Sequence, residues 1–285
     1  MIGGTGTVGR QVVLGLTKQG IRVRAMTRNP EAAQLPANVE LVRGDLTVPD
    51  TLDECLKNVD SVFLVWTAPM AATDAALARI AKRARRIVFL SAPLKTPHPF
   101  FQQPNPARTL ALHIEELIEQ SGLEWTFLRP GMFAANARDF WGPQICAGNI
   151  VRWPFLDAPT APIDERDIAA VGIRALTEDS HDRRDYVLTG PQSLTQYQQI
   201  ATIGQVVGRA LTIEEMSRDE ARRAWSAVMP VAVAEMLMDA WAAARGQPAY
   251  VTSLVQQITG TPARTFAEWT RDNVSAFVSP SVETS

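Results

Sequence analysis

The chain has 285 residues, of which 46% are hydrophobic and 20% charged, and its formal net charge is −2. That is enough for one large domain or two modest ones, and so even a charge balance leaves no electrostatic footprint for nucleic acid or an anionic membrane. Cys55 and Cys146 are too few and too far apart for a disulfide framework, and with three histidines at no ligand spacing they form no metal set.

The opening stretch Met1-Ile2-Gly3-Gly4-Thr5-Gly6-Thr7-Val8-Gly9 spaces its glycines as G-x-x-G-x-x-G. It leads into apolar positions of helical period at Val8, Val12, Val13 and Leu16. A glycine turn that opens a helix brings main-chain N–H groups and the positive end of the helix dipole to one point, which suits a diphosphate. Gly3, Thr5, Gly6, Thr7, Val8 and Gly9 are therefore expected to hold the pyrophosphate of a dinucleotide. Such a turn follows a buried central strand, yet only Met1 and Ile2 precede Gly3. The pattern favours a start upstream of Met1, the alternative being a sheet that tolerates a stub in its central slot.

Residues 21–27 read as a strand, closed by Arg28 nineteen residues past Gly9. An NAD site places a carboxylate here for the ribose hydroxyls, and an NADP site places arginine for the 2′-phosphate. Residues 26–30 contain no carboxylate, so Thr27 and Arg28 predict NADP, with NADPH preferred over NADH. Residues 39–42 predict the next strand, 51–59 a helix carrying Cys55 as a buried thiol, and 61–66 a continuous apolar strand covered on both faces. A helix over 74–85, a buried strand over 87–91, a proline-rich loop, a helix over 107–121 and a strand over 124–129 complete an alternation that predicts an α/β, doubly wound, mainly parallel sheet.

These features together, with Gly44-Asp45, the run from Ser121 to Gly131 (SGLEWTFLRPG), Phe133, Asn136 and Asp167-Ile168-Ala169, resemble the NmrA-like family of atypical short-chain dehydrogenases. The likeness continues in Tyr186-Val187-Leu188-Thr189-Gly190-Pro191 and Thr265-Phe266-Ala267-Glu268-Trp269. It implies a Rossmann domain over residues 1–130 and a smaller mixed C-terminal lobe over 131–285, with a strand near 186–189 returning to the main sheet. It also implies Asp45 and Leu46 on the adenine side, and Thr67, Ala68 and Ser91 beside the ribose and nicotinamide. The family includes reductases of quinones and other conjugated substrates alongside cofactor-sensing regulators, so a small apolar substrate and a regulatory protein partner are both implied.

In the lobe, Phe133, Trp153 and their aromatic neighbours, with Trp66 and Asn136, are candidate walls of a substrate cleft, though core packing explains the aromatics equally well. Residues 164–178 predict a helix and 209–215 a strand, Thr195-x-x-Gln198 and Thr265-x-x-Glu268 are capping boxes, and the end is expected to be loose from 279. The apolar stretch 225–244 contains Pro230, Glu235 and Asp239 and reads as broken helices, not a membrane span. With no secretory signal in the opening residues, a cytoplasmic setting is expected.

The Tyr-x-x-x-Lys acid–base pair of ordinary short-chain dehydrogenases is missing: Tyr186, Tyr197 and Tyr250 are followed four places on by Gly190, Ala201 and Leu254. The helix over 107–121 offers Arg108, His113, Glu115 and Glu116 instead, and His113 is the candidate proton donor. Hydride transfer to an electron-poor acceptor does not require the missing pair, because transition-state charge spreads over the substrate. No G-x-S-x-G or Walker motif occurs, which removes hydrolase and nucleotidase chemistry.

Overall fold

The computed structural model describes residues 1–93 and 95–278; the expectation for residues from 279 falls outside them. Strands β1 (Arg24–Thr27), β2 (Glu40–Arg43), β3 (Ser61–Leu64), β4 (Arg86–Leu90) and β5 (Glu124–Pro130) alternate with helices α1 (Thr7–Lys18), α2 (Leu52–Cys55), α3 (Thr73–Arg83), α4 (Pro99–Gln102) and α5 (Pro106–Gln120). All strand pairs of the main sheet are parallel: β1 with β2, and β3 with β4 and β4 with β5.

Between these two groups stands Ile2 alone, bridging Met26 on one side and Leu64 on the other. Its N–H donates to Phe63 O at 2.9 Å and its carbonyl accepts from Val65 N–H at 3.1 Å, while Met26 N–H donates to Met1 O at 2.9 Å. Away from this bridge, β1 and β3 part around a cavity of about 700 Å³ lined in part by Met1, Leu16, Val23, Phe63 and Leu176.

Period-two alternation assigns the inner strands to two cores. Val62, Leu64, Ile87, Phe89 and Phe127 face Leu52, Leu77, Ile80, Ile114 and Ile118 of α2, α3 and α5. Their chain neighbours Phe63, Val88 and Leu128 face Val8, Val12, Val13 and Leu16 of α1. Cys55 is a free thiol, and burial pushes its pKa up, as befits a packing residue.

After β5 the chain forms α6 (Asn136–Ala147), β6 (Ile150–Trp153) and β7 (Pro159–Thr160), then α7 (Glu165–Thr177) and β8 (Arg184–Leu188). Beyond these lie β9 (Leu194–Thr195), α8 (Gln196–Val207), β10 (Thr212–Glu215), α9 (Arg218–Trp225), α10 (Val231–Ala244), α11 (Leu254–Thr259) and α12 (Phe266–Asp272). β8 pairs parallel with β5, and α7 packs its Ile168, Val171 and Ala175 into the α1 core, so this return covers one sheet face as well as extending the sheet. The remaining elements form a lobe around Trp141, Trp153, Trp225, Trp241 and Trp269, with β6 parallel to β10 and β7 antiparallel to β9. Both expected capping boxes are present, and Ser217 with Glu220 forms a third. A division near residue 130 thus remains a proposal, with α7, β8 and α11 given back to the sheet.

Asp167 on α7 is 7% exposed and accepts the Arg264 N–H at 2.7 Å. Burial pushes its pKa up to about 6, Asp164 adds to the rise, and the Arg264 amide and the charges of Arg264 and Arg166 oppose it. A folded-state pKa raised for a carboxylate means that the penalty is absent below the unfolded value, grows as pH rises, and is complete above about 6. Asp167→Asn keeps the acceptor for the amide and should stabilise the fold by about 2 kcal/mol at alkaline pH and negligibly at acid pH. Urea melts of the two chains at both pH values check this, and a gain independent of pH would refute it.

Candidate active site

The glycine turn is built as its spacing requires. Gly3 has φ +83°, where a side chain would strain the backbone and its Cβ would lie 2.6 Å from Val65 Cβ. At Gly9 a Cβ would stand 2.1 Å from Gly3 O, so the turn can fold back on α1 only with glycine there. At Gly6, the N-cap of α1, the nearest atom to a Cβ is Gly3 O at 3.5 Å, an ordinary contact. Nothing within the protein requires glycine at Gly6, and the open space over it is what close approach of a diphosphate needs. Thr5, Gly6 and Thr7 are exposed, whereas Val8 is 2% exposed and offers only its backbone. This cradle fits the pyrophosphate of a dinucleotide.

At the end of β1, Thr27 Oγ1 accepts the Asn29 N–H at 3.2 Å and Arg28 is exposed. Asp45 follows β2 on the same edge, its pKa lowered by the Thr47 amide and hydroxyl, both at 2.8 Å, and further by the charge of Arg28. Arg10, which sequence reasoning passed over, leaves the first turn of α1 and donates to Gln34 O in the segment after β1. Leu46 is 3% exposed and packs with Ile2 and Leu52, so its side chain belongs to the core. After β3, Thr67 is exposed, and Trp66 is tied back to its own loop by a 2.6 Å bond from Nε1 to Ala68 O, beside the α2–α3 core and not over the crevice.

Ser91, just past β4, donates to Glu115 Oε1 at 2.6 Å. Glu115 in turn accepts from Arg129 Nε at 3.0 Å and Nη2 at 2.7 Å, and Arg129 Nη1 donates to Asp185 at 2.7 Å. Burial works against the charge of Arg129, but the bonds to Glu115 and the charge of Asp185 prevail and its pKa is raised. The sequence carries the signal for this pair: a cation inside an otherwise apolar strand must find a buried counter-charge.

Beside this chain, at the carboxyl ends of β4 and β5, lies a cavity of about 230 Å³. Ala92, Pro93, Phe100, Phe101, Arg108, Met132, Met236 and Leu237 contribute to its walls. His98 anchors the aromatic wall: Nδ1 accepts the Phe100 N–H at 3.3 Å, so the proton sits on Nε2, which meets Pro248 O at 3.0 Å. Such a crevice beyond the strand ends is where doubly wound sheets bind ligands.

Other candidates lie elsewhere. His113 turns toward α3, with Nε2 3.1 Å from Thr73 Oγ1 and 3.7 Å from Asp74, and does not line the cavity. Phe133 and Asn136 line a separate small cavity with Met132, Phe140 and Trp241. Trp153 is 3% exposed, bonded through Nε1 to Gln196 at 2.6 Å and ringed by Phe140, Trp141, Trp225 and Trp241. Packing takes it, and the expected cleft wall at Trp153 is corrected accordingly. Among the described residues no cluster of His, Cys, Asp and Glu suits a metal, and no helix is long and apolar enough to cross a membrane.

A family model described as NAD(P)H-binding matches residues 3–179. The (4-alkanoyl-5-oxo-2,5-dihydrofuran-3-yl)methyl phosphate reductase of Streptomyces griseus is 37% identical over 282 residues, covering 96% of this chain and 97% of that protein. An NAD(P)H azoreductase of Xenophilus azovorans is 32% identical over 287 residues, covering 97% and 98%. In fold, an NADPH-dependent quinone oxidoreductase from Escherichia coli, solved with NADPH, superposes with TM-score 0.79 at 21% identity over 95% of this chain and 98% of that one. Triphenylmethane reductase from Citrobacter sp. gives 0.80 at 18% identity over 96% and 98%. The glycine cradle, the parallel sheet and these full-length likenesses agree: the chain belongs to the NAD(P)H-binding family.

Proposed function

We propose that the chain is an NADPH-dependent reductase of a small, apolar, conjugated acceptor such as a quinone or an enone. The observation that carries the reading is the cavity walled by Phe100, Phe101, Met132, Met236 and Leu237, which opens at the strand ends next to Ser91. NADPH, when bound, supplies the hydride. The amides of the turn from Gly3 to Gly9 would hold its diphosphate, Thr27 and Arg28 its 2′-phosphate, Asp45 and the backbone of Leu46 would flank the adenine, and Thr67, Ala68 and Ser91 would lie beside the ribose and nicotinamide. The apolar walls exclude water and set the acceptor plane, and positioning supplies the catalysis that the missing Tyr-x-x-x-Lys pair would otherwise give. His113, facing Thr73, is given no part in proton transfer. That the two full-length relatives above are both reductases favours this reading over a regulator that only senses the cofactor.

The test follows loss of NADPH near-ultraviolet absorbance against a panel of quinones and enones. Turnover on at least one is expected, and tight NADPH binding with no turnover on any would overturn the catalytic reading. Arg28→Ala should weaken NADPH by about 10–100-fold, the scale of one charge-assisted phosphate contact, and NADH by less than about twofold. Fluorescence titrations check it, and equal loss for both nucleotides would move the 2′-phosphate site elsewhere.

A further inference from the structure

We infer that the cavity selects acceptors carrying an oxyanionic group (phosphate, carboxylate or sulfonate), and that Arg108 is the specificity-determining residue; this rests on the reductase reading above. The cavity lining is chemically mixed. Phe100, Phe101, Met132 and Leu237 offer aromatic and thioether surface suited to a flat conjugated ring. The lining also carries the polar side chains of Gln103, Asn105 and Arg108, and among the described residues Arg108 is its single charged group and no carboxylate lines it.

Arg108 stands in the first turn of α5, and its Nη1 donates to the Phe101 carbonyl at 3.3 Å. That bond ties the guanidinium to the same residue whose ring forms the apolar wall, so cation and aromatic surface are held in fixed relation. A guanidinium carries five N–H donors in a planar fork matched to two oxygens of a tetrahedral or planar anion. Beside low-dielectric walls its attraction for an anion exceeds what it would have in bulk water. A neutral quinone would use only the apolar side chains. A ring bearing a short anionic arm would use these and Arg108, and the arm would orient the ring in the cavity.

The experiment compares naphthoquinone sulfonate with menadione as acceptors, using the full chain and NADPH. Arg108→Gln should raise KM for the sulfonate at least about tenfold more than for menadione, with Arg108→Lys falling between. On the unmodified chain, inorganic phosphate should inhibit turnover of the sulfonate competitively and of menadione only weakly, a measurement that does not depend on any variant folding. Equal changes on both acceptors, or no preferential inhibition by phosphate, would overturn the inference. If neither acceptor turns over, the reductase reading fails, and calorimetric titration of the sulfonate into NADP⁺-loaded protein then judges Arg108 alone. Binding that Arg108→Gln abolishes supports the anion site, and binding that is absent or unchanged overturns it.

Discussion

Arg129→Met should lower the unfolding free energy by about 3–5 kcal/mol, the scale for removing one member of a buried ion pair. Arg129 and Glu115 have side chains only 5% and 4% exposed, and Glu115 receives two of the guanidinium's bonds. Without them its carboxylate keeps only the Ser91 hydroxyl and must stay charged in an apolar setting or take up a proton. Asp185, 48% exposed, can turn to water and should contribute little. The sign of coupling makes the claim sharp: the double variant Arg129→Met, Glu115→Leu should recover most of the loss, because an apolar pair leaves no stranded charge. Denaturant melts of the two singles and the double decide it, and a single variant within about 1 kcal/mol of the parent would mean that the pair is not the strut it is taken for.

Gly9→Ala should abolish NADPH binding, by at least about 100-fold, and also cost stability on the overpacking scale of about 1–3 kcal/mol. The added Cβ would meet Gly3 O at 2.1 Å, Gly3 C at 2.8 Å and Gly4 Cα at 3.0 Å, all backbone, so the turn itself must move. Gly6→Ala provides the control with opposite character. Its Cβ meets nothing closer than 3.5 Å and its φ of −80° suits any residue, so the fold should be unaffected while the methyl stands where the diphosphate approaches. Thermal melts with and without NADPH separate the two. Should Gly6→Ala bind the nucleotide as tightly as the parent, the diphosphate does not lie on this turn.

The inner strands were legible because residues buried on both faces must be apolar, as Val62, Phe63 and Leu64 of β3 and Ile87, Val88, Phe89 and Leu90 of β4 are. β1 begins at Arg24, three residues later than expected, where its ladder with β2 starts, and Ile21 and Arg22 are exposed. β10 was visible as a short alternating run, but not its partner β6, because four residues carry little periodicity and the two lie some sixty residues apart. The cofactor half of the site could be read at all because its requirements are backbone requirements, written in glycine positions. The cavity could not, since Met236 and Leu237 lie in a helix that is apolar nearly all round, where residue type announces burial without saying what is covered. Trp153 illustrates the same limit from the other side: an aromatic side chain packs a core and walls a cleft with equal ease.

Ile2 stands between two groups of strands. On one side lie β1 and β2 with Arg28 and Asp45; on the other lie β3, β4 and β5 with Ser91, and the glycine turn sits on the join itself. A dinucleotide laid from Arg28 to Ser91 would cross from one group of strands to the other. Bound to the folded chain alone, it would add to the stability of the fold, which would then rise and fall with the nucleotide pool around it.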